Sequence, residues 1–214
     1  MAERIKRAWT PDDILNKSYE VIEWGEKWQA AFAKPEASGL WFIYAHSTNG
    51  KGAFMMQLVK ELSKLDRRIV VNDMEEGDSM TIQEALNRHG INNSNTKGKL
   101  IWTKETMKQL EERLAKPKSP GVVIINSYQY TRMNFNKFYD FKERLRKKGK
   151  LIIVFSQMKG NNPKGQAAID VMYDADLKIF IEGFVAYSKG RYIGENGGQF
   201  VIWQKGADDY HGKI

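Results

Sequence analysis

Residues 39–62, GLWFIYAHSTNGKGAFMMQLVKEL, set a short apolar run, a tight polar turn around Gly50-Lys51 and an amphipathic stretch in direct succession. The apolar run predicts a buried strand over 40–45. After the turn, Phe54, Leu58 and Leu62 recur at helical spacing, with Met55 and Val59 beside them. Strand, turn and helix in that order build an anion site. The backbone N–H groups of Ser47, Thr48, Asn49 and Gly50 and the positive start of the helix face one point, and Lys51 reaches outward to the terminal phosphates of a nucleotide. The segment approximates G-x-x-x-x-G-K-[ST] with two departures. Ala45 stands at the first glycine, and Gly52 replaces the hydroxyl residue that would hold Mg²⁺. The turn therefore points to nucleotide binding by residues 47–52 more strongly than to hydrolysis.

Length and composition frame that reading. A chain of 214 residues, 42% of them hydrophobic, is large enough for one α/β domain with a substantial core. It has no cysteine, which excludes disulfides and thiolate zinc sites, and His46, His89 and His211 are spaced too widely for a zinc motif. The opening MAERIKRAWTPDD lacks the apolar core of a signal peptide, and no apolar run approaches membrane-spanning length, so a cytoplasmic protein without a membrane partner is expected. Lys and Arg exceed Asp and Glu by 34 to 26, a net charge of +8. That balance favours a polyanionic partner, nucleic acid above all, or else a soluble protein with a merely basic surface.

Along the chain, residues 1–38 read as a helical preface, with one helix running from Asp12 to about Ala33. The remainder, 39–214, alternates strands and helices. Strands are expected at 68–71, 100–103, 121–126 and 150–156, with helices at 81–89, 104–115 and 135–148. The end is β-rich, with strands at 177–182, 185–188 and 199–203 joined by glycine-rich turns, and Trp41 and Trp203 as core residues. This pattern argues for a mainly parallel central sheet flanked by helices and extended by antiparallel strands.

The ordered landmarks resemble the RecA-like P-loop ATPases, the RadA- and DnaB-type branch, and most of all the short forms from phages and mobile elements. AHSTNGKG stands at the phosphate loop, NDMEEG after the second strand, GVVIINSYQY at the Walker B position and LIIVFSQMKG at the sensor strand. VAYSKGRYIGENGGQFVIW resembles the late segment leading into a hairpin. The resemblance implies an oligomeric, DNA-dependent ATPase of recombination, repair or replication, a ring or filament holding ATP and Mg²⁺ at subunit interfaces. It implies catalytic roles for Glu75 (or Glu76) as water-orienting base and Gln157 as γ-phosphate sensor. Lys189 and Arg191 would complete a neighbour's site, or touch DNA phosphates. Asn126 holds the place of the Walker B aspartate and supports the metal only indirectly, with Ser127 offering a hydroxyl. The loops at 128–136 and 158–168 supply Tyr128, Tyr130, Arg132, Lys159 and Lys164 for single- or double-stranded DNA. With Gly52 and Asn126 both departing from the pattern, a binding module that does not hydrolyse ATP is the alternative. A small-molecule kinase is a weaker one.

Overall fold

The computed structural model describes residues 7–213. Its first elements are α1 (Pro11–Leu15), opened by a capping box at Thr10, and α2 (Glu26–Phe32). The single helix expected from 12 to 33 is thus two. The polar run Asn16-Lys17-Ser18 competes with helix through its own side chains and has nothing to bury. The following stretch runs extended, with Val21 bridging Glu36 and the Ile22 N–H donating to the Pro35 carbonyl at 2.9 Å. That path carries Ile22, Trp28, Ala31 and Phe32 into the same core as the central strand.

The chain then continues through β1 (Gly39–Ala45), α3 (Lys51–Leu62), β2 (Ile69–Asp73), α4 (Met80–Arg88), β3 (Leu100–Thr103) and α5 (Met107–Ala115). Next come β4 (Val122–Asn126), α6 (Phe135–Arg146), β5 (Leu151–Lys159), β6 (Asn162–Pro163) and α7 (Gln166–Asp174). The chain closes with β7 (Leu177–Glu182), β8 (Val185–Gly190), β9 (Gly198–Val201) and α8 (Gln204–His211). The strands join in the order β3-β2-β4-β5-β1-β7-β8-β9, with β6 folded back on β5. Pairing is parallel from β3 to β7 and antiparallel from β7 through β9.

Alternation along each strand divides the core into two layers. Trp41 and Ile43 face α2, α3 and α4, whereas Leu40 and Phe42 face α5, α6 and α7. β1, β2 and β4 are apolar through most of their length because both faces are covered. Polar residues appear only where these strands end, and the carboxyl ends of β1, β2, β4 and β5 lie on one edge of the sheet. Open α/β sheets bind their ligands at that edge.

Two helices were not anticipated. α7 begins inside the loop expected at 158–168 and runs on through residues given no element, and α8 carries Gly206 in its interior, which weakens any helical signal. Packing requires that glycine, since a Cβ there would stand 2.3 Å from Trp203 and 2.6 Å from Phe184. Trp203 itself is not a core strand residue. β9 ends at Val201, and Trp203 begins α8 at 51% exposure with its ring edge-on to Phe184 at 5.0 Å.

Candidate functional site

The turn between β1 and α3 is held in shape by its own side chains. The Thr48 hydroxyl and the Asn49 Nδ2 both donate to the Ser47 carbonyl, at 2.6 and 3.0 Å. Gly50 adopts φ 96°, and a Cβ there would press 2.9 Å from the Phe184 ring. The bend joining β7 to β8 clasps the turn from outside. The Gly183 N–H donates to Asn49 Oδ1 at 2.8 Å, and the Phe184 N–H to the Asn49 carbonyl at 3.2 Å. No side chain caps the N-terminus of α3, so its first N–H groups stay available to an anion.

Beside that turn lies a cavity of about 850 Å³, walled by residues 45–48 and 50–52 of the turn, by Glu75 and Glu76 after β2, by Asn126, by Gln157 and Lys159 at the end of β5, and by Lys164 after it. Lys51 stands in the first turn of α3. Burial holds its ammonium below the usual lysine range, against the opposing pull of the Glu75, Asp73 and Glu76 carboxylates. Gly52 has open space where a Cβ would be. The far wall is apolar, formed by Met55 and Met56 of α3 and by Ile82 and Ala85 of α4.

The acidic turn is organised by a residue that sequence reasoning did not single out. Asp73 closes β2, fully buried, and its Oδ1 accepts the Glu75 and Glu76 N–H groups at 3.2 and 3.0 Å. Burial pushes its carboxyl above the ordinary aspartate range, with the two backbone N–H groups and the Asn126 amide working the other way. Glu75 then meets Gln157, whose Nε2 donates to its Oε1 at 3.1 Å, while Oε2 is buried without a partner. Glu76 is engaged by the Thr81 hydroxyl. The two glutamates are thus unequal: one is held by the Gln157 amide and one is tied to α4. The visible signal for Asp73 was its position, a carboxylate ending an apolar strand.

Gln129 was also missed. It sits in the 3-10 turn Tyr128–Thr131, its Nε2 donating to Ser156 Oγ at 2.9 Å and to the Lys164 carbonyl at 3.0 Å. Its Oε1 accepts the Gln157 N–H at 3.1 Å. The loop after β4 is therefore cross-linked to the end of β5 and the loop that follows it, behind Gln157. Ser127 offers no hydroxyl to the cavity, because its buried Oγ donates to Gln129 Oε1 at 3.3 Å.

The remaining candidates scatter. Lys159 and Lys164 line the cavity itself, while Arg132 and Tyr130 are exposed on the neighbouring loop. Tyr128 is unavailable for base stacking. It packs against Phe138, donates its hydroxyl to the Met133 carbonyl at 3.0 Å, and burial raises its pKa to about 12. Lys189 and Arg191 lie at the opposite edge of the sheet, since β8 runs antiparallel and pairs Gly190 with Leu177. There Arg191 Nη1 pairs with Asp176 Oδ1 at 2.7 Å. Neither reaches the cavity of its own chain.

Among the described residues no three acidic, histidine or cysteine side chains converge on a metal-sized point. A cation here would take most of its ligands from water and phosphate, as Mg²⁺ commonly does. The buried, unpartnered Oδ2 of Asp73 and the cavity-lining amide of Asn126 suit such a hydrated ion.

No family model and no curated protein matches the sequence. Solved structures do resemble the fold. The flagellar accessory protein FlaH from Methanocaldococcus jannaschii superimposes with a TM-score of 0.62 at 14% identity, over 86% of this chain and 92% of that one. A KaiC-like protein from Pyrococcus horikoshii OT3 gives a TM-score of 0.61 at 12% identity, over 86% of this chain and 99% of that one. At such identity the likeness establishes architecture alone, and that architecture is RecA-like: a mainly parallel sheet between helices with antiparallel strands at its end. No helix among the described residues is long and apolar enough to cross a membrane.

Proposed function

We propose that this chain binds ATP in the cavity around Lys51 and hydrolyses it, as a RecA-like ATPase. The observation that carries the reading is the convergence on one cavity of a half-buried lysine, an uncapped helix start and a glutamate held by a glutamine. Burial disfavours this ammonium even with three carboxylates nearby, so an anion entering the cavity would relieve the cost. The turn and Lys51 hold the phosphates. Glu75, held through Oε1 by Gln157, uses Oε2 to accept a proton from the attacking water, which orients that water for in-line attack. Asn126, backed by Asp73, would support the water shell of a magnesium ion accompanying the nucleotide, and such an ion would supply neutralisation of phosphate charge.

The partner this geometry favours is DNA, gripped by the loops after β4 and β5. Arg132 and Tyr130 are exposed there, and Gln129 ties both loops to the γ-phosphate sensor. Occupancy of the cavity would thereby alter the grip. Lys189 and Arg191, remote from their own cavity, would serve a neighbour's, where a cation supplied in trans accelerates transfer by roughly 10³–10⁵.

Gly52 favours a second reading, a nucleotide-binding module without turnover, because no hydroxyl stands beside Lys51. Phosphate release measured with and without single-stranded DNA separates the two. Stimulated turnover supports the ATPase, and bound but unhydrolysed ATP supports the module. For both, Lys51→Met should weaken ATP binding by about 100-fold or more, since a charge-assisted phosphate contact and a buried partner are lost together. Undiminished binding by calorimetry would remove the basis of either.

A further inference from the structure

The position on β4 that holds an aspartate in the resembled ATPases holds Asn126, and its register partner on β2 is Asp73. Asn126 Nδ2 donates to Asp73 Oδ1 at 3.1 Å. An amide beside a carboxylate must turn its NH₂ toward it, because two facing acceptors repel, so this bond fixes the amide's orientation. It leaves Oδ1 as the remaining polar atom of a side chain that lines the cavity. Asp73 is fully buried, and its own Oδ2 has no partner.

Turn capping does not account for this carboxylate. An asparagine at 73 would accept the Glu75 and Glu76 N–H groups equally well through its amide oxygen, without burying a charge. The unpartnered oxygen is a cost, about 1–3 kcal/mol for an unsatisfied buried polar group. Part of the Asp73 charge acts on the Lys51 ammonium, and the unpartnered oxygen leaves it able to act as well on something that enters the cavity.

We propose that Asp73 and Asn126 together replace the missing Walker B carboxylate. Asp73 supplies the negative charge and locks the amide; Asn126 offers Oδ1 as acceptor for a water on the Mg²⁺ that accompanies the nucleotide. Asp73 is a positioning residue, one hydrogen bond behind the cavity wall. The assignment rests on the nucleotide reading above.

The test is ATP affinity of the full chain by calorimetry, in Mg²⁺ and in EDTA. Wild type should bind more tightly with Mg²⁺. Asp73→Asn should keep its EDTA affinity and lose the Mg²⁺-dependent gain by about 10-fold or more, the usual effect of removing an outer-sphere partner of a metal. The exchange Asp73→Asn/Asn126→Asp, which returns the charge to β4, should restore the gain; a purely structural Asp73 would not be rescued this way. Should Asp73→Asn fail to fold, Asn126→Leu puts the same question and should lose the same gain. A full Mg²⁺ gain in either folded single variant overturns the proposal, as does a wild type whose affinity ignores Mg²⁺. A wild type that binds ATP in neither buffer overturns the nucleotide reading itself.

Discussion

Lys51, the residue proposed to hold the phosphates, shows how a binding role can be set against stability. Burial lowers its pKa from the ordinary 10.5 despite three nearby carboxylates, so the net environment disfavours its charge in the ligand-free protein. In the window between the lowered value and 10.5 the unfolded chain holds more protons, so the stability contributed at this site rises with pH. Below that window the charged lysine costs the fold. Lys51→Met should therefore raise the melting temperature of the ligand-free protein at neutral pH, by roughly 2–4 °C per kcal/mol relieved, while binding is lost. A melting temperature lowered by the substitution would mean that the carboxylates, not burial, dominate. Glu75 makes the complementary case. Glu75→Gln keeps a partner for Gln157 and removes the proton acceptor, so turnover should fall by about 10²–10⁴ with ATP affinity nearly unchanged. Equal turnover would move the base elsewhere, with Glu76 the nearest carboxylate. That Lys51 and Glu75 would share one cavity could be expected from the sequence, because each sits at a fixed offset from an apolar strand. Asp73 and Gln129 were not legible there, because their importance lies in partners 53 and 28 residues away.

Among the elements, the β7–β8 hairpin matters beyond extending the sheet. Its bend clasps the phosphate turn through Asn49, and its Phe184 lies against both Gly50 and Trp203, so the turn, the hairpin and α8 form one contiguous contact. Asn49→Ala removes the side-chain half of the clasp. At about 1 kcal/mol for a net hydrogen bond, ATP affinity should weaken roughly fivefold, with little change in melting temperature. A wild-type affinity would show that the Phe184 contacts alone hold the turn. The strands of this sheet were readable from their apolar runs, whose bounds shifted by only a few residues. α7 and α8 were not. One is a short helix after a loop, and the other contains a glycine that only the packing of Trp203 and Phe184 explains. The preface helix broke at its polar run, and beyond it Trp24 stacks on Trp28 and tilts against Trp41, so an aromatic cluster ties the start of α2 to the core.

For the whole molecule, the sheet separates two sets of cations. Lys51, Lys159 and Lys164 gather at the carboxyl edge, whereas Lys189 and Arg191 lie at the far edge. If Lys189 and Arg191 complete a neighbour's site, as proposed above, sizing in the presence of ATP and Mg²⁺ should show growth beyond the monomer. Arg191→Ala should block turnover while leaving nucleotide binding intact. A monomer that hydrolyses ATP at full rate would remove the role given to that edge. The sequence by itself determined the strand–turn–helix around Lys51, the order of the landmarks and hence the architecture, because burial on both faces writes itself as uninterrupted apolar runs and phosphate turns need fixed spacing. The tertiary structure alone decided which polar groups share a hydrogen bond: Glu75 with Gln157, Asp73 with Asn126, and Tyr128 with the core instead of a ligand. Those pairings depend on strand order and register, and neighbouring strands in this sheet are distant in the chain.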